Sequence, residues 1–206
     1  SLIRYASETE NAVHPLHLGL CADVVLEAAA KGATLMPGDF SDVPEFKKKS
    51  QYLIRQLLKY VDEDLEDAIK ALSACRSFDR ALYGMLGRAL DFTTSRTLFK
   101  RLVRFSFIRQ VGQAGTRLDD GRYRIHDLMR RLGESEEVEE AHEVLQSHYE
   151  SNNELEAIYH LNQLDWSQGV DRWVERFDRA LAVSDYEVCR GLLEIRQDLT
   201  IQTWFK

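Results

Sequence analysis

The sequence predicts a mainly α-helical chain with one small β-hairpin near its middle. Three observations carry that prediction. The 206 residues hold only three prolines and eleven glycines, which favours long helices over many short strands. Apolar residues recur at helical spacing along most of the length. Only between Phe105 and His126 does the rhythm shift towards a period of two.

The first predicted helix opens at Pro15, a position where a missing N–H costs nothing. Leu16, Leu20, Val24 and Ala28 follow as its apolar stripe, widened by Leu18, Val25 and Ala29, and Gly32 is a stop. GATLMPGDFSDVPEF, with two prolines and two glycines, reads as a linker. From Lys47 the helical pattern resumes. Tyr52, Leu53, Leu57, Leu58 and Val61 form one stripe, and Leu65, Ala68, Ile69 and Leu72 a second. A third helix, capped by Ser77, carries Ala81, Leu82, Met85 and Leu86. A fourth, capped by Thr94 or Ser95, turns Leu98, Phe99, Leu102, Val103 and Phe105 inward.

Phe105–Val111 then alternates roughly like a strand. Gly121–His126 alternates cleanly, with Tyr123 and Ile125 on one side and Arg122, Arg124 and His126 on the other. The polar stretch GQAGTRLDDG joins them as a long hairpin tip. Short helices followed by a β-hairpin are the plan of a winged helix. Beyond the acidic cluster of Glu134, Glu136, Glu137, Glu139 and Glu140, helices continue to the end. Their stripes are Val144, Leu145 and His148; Leu155, Ile158, Tyr159 and Leu161; Trp166, Val170, Trp173, Val174 and Phe177; and Tyr186, Cys189, Leu192 and Leu193. Asn152-Asn153, Asp165 and Ser184-Asp185 mark turns short enough for antiparallel helix hairpins. In period and texture these hairpins resemble tetratricopeptide repeats. The expected division is a helical lid remnant and linker over 1–45, a winged helix over 46–133, and repeat-like hairpins over 134–206.

The net charge of −7 argues against non-specific nucleic-acid binding by the whole molecule. That average hides a reversal. Residues 95–131 carry ten Arg and Lys against three Asp, a net +7, which leaves −14 for the rest. The three cysteines are far apart and lack CxxC spacing, which predicts reduced thiols and a cytoplasmic address. No apolar run approaches the roughly 18–20 residues a membrane span needs, so no membrane partner is expected. The chain starts without an initiator Met and is expected to be a piece of something longer. His14 and His17 are too few for a metal site without further ligands. No cysteine has a visible partner base, and no complete catalytic constellation occurs, so no catalytic residue is assigned.

Two short motifs carry a resemblance. One is His14-Pro15-Leu16-His17-Leu18-Gly19-Leu20, and the other is Tyr123-Arg124-Ile125-His126-Asp127-Leu128-Met129-Arg130. In this order, with the winged-helix pattern between them, they resemble the tail of a STAND-type signalling ATPase, the class of NACHT, NB-ARC and maltose-regulator-like proteins. The first is similar to the proline motif of the helical lid. The second is similar to the Met-His-Asp motif near the end of the winged helix, with Ile125 in place of Met. The resemblance implies that Pro15 lies against the adenine of a nucleotide bound in the parent protein. It implies that His126 reaches the β-phosphate of ADP, with Asp127 supporting the histidine or capping the next helix.

No GxxxxGK[ST] occurs in the chain, nor a hydrophobic strand ending in paired acids. The chain itself is therefore expected to hold no cofactor and to be no enzyme. ATP or ADP would belong to the parent, whose ATPase domain lies upstream. The expected role is regulatory: the winged helix couples nucleotide state to the helical array, and the array receives an unknown protein or small-molecule ligand. Arg96, Lys100 and Arg104 recur every four residues on one face of the helix that enters DNA in DNA-binding winged helices, and Arg117 would sit near the wing tip. This permits the alternative of a DNA-binding regulator with a helical dimerisation tail. STAND winged helices usually pack on their ATPase domain instead, and the acidic cluster is an obvious partner for the basic face. Nucleic acid is therefore not the favoured partner.

Overall fold

The computed structural model describes residues 6–9, 12–36, 39–40, 46–112, 121–130 and 136–201. The chain is mainly helical and divides into two compact units, Ser1–Glu134 and Ser135–Lys206. The segments expected as lid remnant and as winged helix lie in the first unit.

The N-terminal unit opens with two short antiparallel strands that the sequence did not announce, β1 (Ser7–Thr9) and β2 (Ala12–Val13). Helix α1 (Pro15–Ala30) begins at its proline and buries Leu16, Leu20, Val24 and Ala28. Leu18 and Ala29 were expected to widen that stripe. They are instead exposed. The helix ends in a Schellman arrangement. Gly32 takes φ +75°, its N–H donates to Ala29, and the N–H of Ala33 donates to Ala28. Helix α2 (Phe46–Leu58) packs against α1 and contributes Leu53 and Leu57.

Helices α3 (Glu63–Ser73), α4 (Arg80–Ala89) and α5 (Arg96–Leu102) follow. The cap of α4 is Asp79, which accepts from Leu82 N at 2.9 Å, rather than Ser77. Ser95 caps α5 through Leu98 N at 3.0 Å. Strands β3 (Ile108–Val111) and β4 (Arg122–Ile125) pair antiparallel, with Ile108 opposite Ile125 and Arg109 opposite Arg124. The strand expected from Phe105 starts three residues later. Phe105 and Phe107 are spent in a turn, where their rings stack 5.2 Å apart. Phe78 forms a bridge to Tyr123 through reciprocal backbone bonds of 2.8 and 2.7 Å. The core closes around edge-on and tilted aromatic pairs: Phe99 lies 6.4 Å from Phe78, 5.3 Å from Tyr83 and 5.8 Å from Tyr123. Helix α6 (Asp127–Arg130) follows β4 directly.

The C-terminal unit is an antiparallel succession of four helices, α7 (Glu136–Tyr149), α8 (Glu154–Leu164), α9 (Trp166–Ala182) and α10 (Tyr186–Arg196). Asn153, Asp165 and Asp185 cap the last three. The packing centre is Ile158, Leu192 and Ile195, against which Trp173 and Phe177 lean. The expected stripe of α9 is thus a flank rather than a centre, and its Val174 is exposed. The helix buries Ala180 and Gly169, the latter so close to Asn162 of α8 that an added Cβ would sit 2.3 Å from Asn162 Cα. Tyr186 and Leu193 of α10, expected inside, are exposed. Histidines 142 and 160 are buried with Nδ1 atoms 2.8 Å apart. Among the described residues no helix is long and apolar enough to cross a membrane.

Candidate functional site

Both motifs that carry the resemblance lie in the N-terminal unit. Pro15 is the first residue of α1 and is exposed. Before it, His14 donates its backbone N–H to Ala6, and its ring lies 4.9 Å from that of His17, one turn along. His17 is 1% exposed. Burial, reinforced by the charges of His14 and Lys49, pushes its imidazole down to about 4, so it is held neutral.

His126 stands at the end of β4, its backbone N–H donating to Phe107 at 2.8 Å. Its side chain is on the outer, exposed face of the hairpin. Burial of part of the ring lowers the His126 pKa. Asp127 acts in the opposite sense, and Arg109, His14 and Arg124 add to the lowering. Asp127 opens α6 and accepts from Arg124 Nη2 at 2.9 Å, with Arg130 Nη1 at 3.6 Å. Burial pushes its carboxyl up, but these two guanidiniums and His126 outweigh burial and hold it below the usual range.

One face of α1 forms a polar seam with the segment between α5 and β3. The face is read at every fourth residue. Gly19 admits Ser106 so closely that an added Cβ would lie 2.5 Å from Ser106 Cβ. Asp23 accepts from Ser106 N at 2.9 Å and from Ser106 Oγ at 2.6 Å. Glu27 pairs with Arg101, whose other nitrogen pairs with Asp62. Lys31 reaches Val61 O at 2.9 Å and Asp62 at 3.5 Å. The Arg101 guanidinium holds Asp62 below the usual carboxylate range, while burial outweighs the Ser106 bonds and raises Asp23. The sequence reading passed over this seam. Its signal was Gly19, an isolated glycine inside an apolar-periodic helix.

The basic face of α5 is divided. Arg96 and Arg104 are exposed and Lys100 is half-buried, whereas Arg101 belongs to the seam. Arg117, with the hairpin tip, lies outside the described residues. Cys21, Cys75 and Cys189 are buried thiols, and burial pushes Cys21 up to about 11. A thiol so poorly ionised is no nucleophile. Among the described residues no group of three or more His, Cys, Asp and Glu is arranged to hold a metal. Comparison with family models, with curated proteins and with solved structures finds no match to this chain.

Proposed function

We propose that the chain is the regulatory part of a STAND-type signalling ATPase: the end of the helical lid, a winged helix and the start of a tetratricopeptide-like sensor array. The observation that carries this reading is that α1, which Pro15 opens, seats Gly19 and Asp23 on Ser106, while the adjoining Phe107 accepts the backbone N–H of His126 at 2.8 Å. Two motifs far apart in sequence thus lie on neighbouring segments, which is compatible with a shared nucleotide. The order α3, Phe78 bridge, α4, α5, β3, β4 is that of a winged helix and supports the second part. The four antiparallel helices of the C-terminal unit support the third.

In this reading the chain is no enzyme by itself. The upstream domain binds and hydrolyses ATP, Pro15 packs on the adenine, and His126 contacts the phosphate of ADP, with Asp127 fixing the β4–α6 corner. The array takes a protein or small-molecule ligand, and the protein works in the cytoplasm. Two observations test it. The coding sequence should hold a P-loop roughly 200–300 residues before His126. The full parent, purified, should retain ADP and lose it on His126→Ala; a parent without a P-loop, or with ADP retention indifferent to His126, refutes the reading.

The DNA-binding alternative draws on the exposure of Arg96 and Arg104. A gel-shift at physiological salt separates it, since duplex binding lost in the Arg96→Glu/Lys100→Glu/Arg104→Glu variant would favour it.

A further inference from the structure

Helix α1 is apolar on a side that its own unit leaves open. Its core side carries Leu16, Leu20, Val24 and Ala28, and its polar seam carries Gly19, Asp23 and Glu27. A third side, formed by Leu18, Ala22, Leu26 and Ala29, is exposed, with Leu18 39% and Leu26 66% open to solvent. Steps of four, four and three residues keep these side chains on one stripe, about 17 Å long at a rise of 1.5 Å per residue. No charged residue interrupts the stripe. A helix on the surface of a soluble protein ordinarily turns polar residues outward. A continuous apolar stripe in that place marks a contact surface.

The order of the stripe selects what covers it. Leu18 and Leu26 stand four residues to either side of Ala22, so the pattern reads large, small, large in both directions. A two-fold axis at Ala22 would lay the α1 helix of a second copy antiparallel on the first, with alanine on alanine and each Leu18 beside the second copy's Leu26. The charges favour the same arrangement. From Pro15 to Ala22 the helix has no acid, lysine or arginine; Asp23, Glu27 and Lys31 all follow. Antiparallel pairing sets the acidic half of each helix against the uncharged half of the other and opposes the helix dipoles, whereas parallel pairing would bring like carboxylates together. Asp23 and Glu27 are moreover engaged within their own copy, by Ser106 and Arg101. We infer that α1 is a self-association surface, through which two copies of this chain pair isologously along Leu18, Ala22, Leu26 and Ala29. The inference is independent of the nucleotide reading. A standard stable interface buries roughly 800 Å² per partner. A strip about 17 Å long and about 10 Å wide supplies a fraction of that, so the pairing is weak and reversible, with a dissociation constant on the order of 0.1 mM.

The test is sedimentation equilibrium of the 206-residue chain from about 10 μM to about 1 mM, a range that brackets the expected constant. Wild type should pass from monomer to dimer and stop there, because an isologous contact closes on itself. Ala22→Glu places two carboxylates at the axis and should weaken pairing about ten-fold or more. Dilute Ala22→Glu protein should melt within about 2 °C of wild type, since the position is an exposed one on a helix. Leu18→Lys and Leu26→Glu should each weaken pairing. The chain carrying both should pair more tightly than either, because antiparallel copies set each lysine beside the other's glutamate; parallel copies would set like charge on like. A chain that stays monomeric throughout, or a dimer indifferent to Ala22→Glu, overturns the inference. So does a double variant that pairs no better than the single ones. A larger fall in the melting temperature of dilute Ala22→Glu overturns it too, by showing that the stripe is covered within the chain itself.

Discussion

Replacing Gly19 by alanine should destabilise the protein, although alanine is the better helix former. Within α1 alanine would contribute about 0.5–1 kcal/mol of backbone preference. Its methyl, however, would sit 2.5 Å from Ser106 Cβ and 2.6 Å from Ser106 Oγ. Relaxed carbon contacts are about 3.5–4.0 Å, so α1 must retreat by about 1 Å. Ser106 cannot swing aside, because its N and Oγ both donate to Asp23, one turn along the same helix face. Retreat therefore also stretches two bonds to a carboxylate. Overpacking costs about 1–3 kcal/mol and a bond to a charged group about 1.5–3 kcal/mol. Against the propensity gain, and with partial relaxation, the net loss is about 1–3 kcal/mol.

Gly84→Ala is the internal control. It makes the same change in α4, where the nearest atom to the new methyl is Arg88 Nη1 at 3.8 Å, the end of a flexible chain. Only propensity remains, and stability should rise by about 0.5–1 kcal/mol. Urea unfolding followed by circular dichroism measures both variants. A Gly19→Ala protein as stable as wild type would show that α1 is not seated on Ser106.

Four further outcomes follow from the same geometry. Trp173→Ala should cost about 3 kcal/mol, because the indole stacks on Phe177 at 5.1 Å and donates to Leu192 O at 2.8 Å; a urea-derived loss under about 1 kcal/mol contradicts the packing. His17 is held neutral, its pKa lowered to about 4. Its contribution is therefore complete above the unfolded value near 6.5 and is lost as pH falls towards 4, to a total of about 3 kcal/mol that His17→Leu should abolish; equal acid sensitivity of the two proteins refutes the assignment. Arg101→Met should cost about 1–2 kcal/mol, since it strands Glu27, whose side chain is only 12% exposed, and a variant indistinguishable from wild type in urea would make the ion pairs ornamental. Calorimetry of this chain with Mg-ADP should find binding weaker than micromolar, because no GxxxxGK[ST] occurs in the sequence to cradle the phosphates; micromolar affinity would mean a nucleotide site elsewhere.

Much of the fold was legible because it rests on local rules. Pro15 at a helix start, Ser95 as a cap, Asn153 and Asp185 at turns, and the alternation of Arg122–His126 each express a conformational preference of a few residues. The failures share a different cause. Ala81, Val174, Tyr186 and Leu193 obey helical periodicity yet are exposed, because a stripe says which side of a helix is apolar and not how wide a neighbour covers it. The seam was missed for the same reason. Arg101 looks like one more surface cation until Glu27 and Asp62, distant in sequence, are brought to it. Gly19 and Gly169 were the readable traces of close contacts, since a helix interior disfavours glycine unless something occupies the space of its side chain.

The seam and the candidate site belong to one mechanical unit. Helix α1 starts beside His14, and its polar face then runs along Ser106 and Arg101. Ser106 lies two residues before β3, whose Arg109 faces Arg124 on the strand that ends at His126. A stiff helix joined at both places cannot shift at one and stay seated at the other. The seam is made of hydrogen bonds and ion pairs rather than apolar burial. Bonds to a charged group contribute about 1.5–3 kcal/mol each, comparable with the about 1.5–3 kcal/mol per side chain of separating buried Leu20 and Val24 from their neighbours. Neither side of α1 is therefore the cheaper to open, and in the proposed reading a lid movement would have to be driven by a difference in nucleotide contacts larger than either.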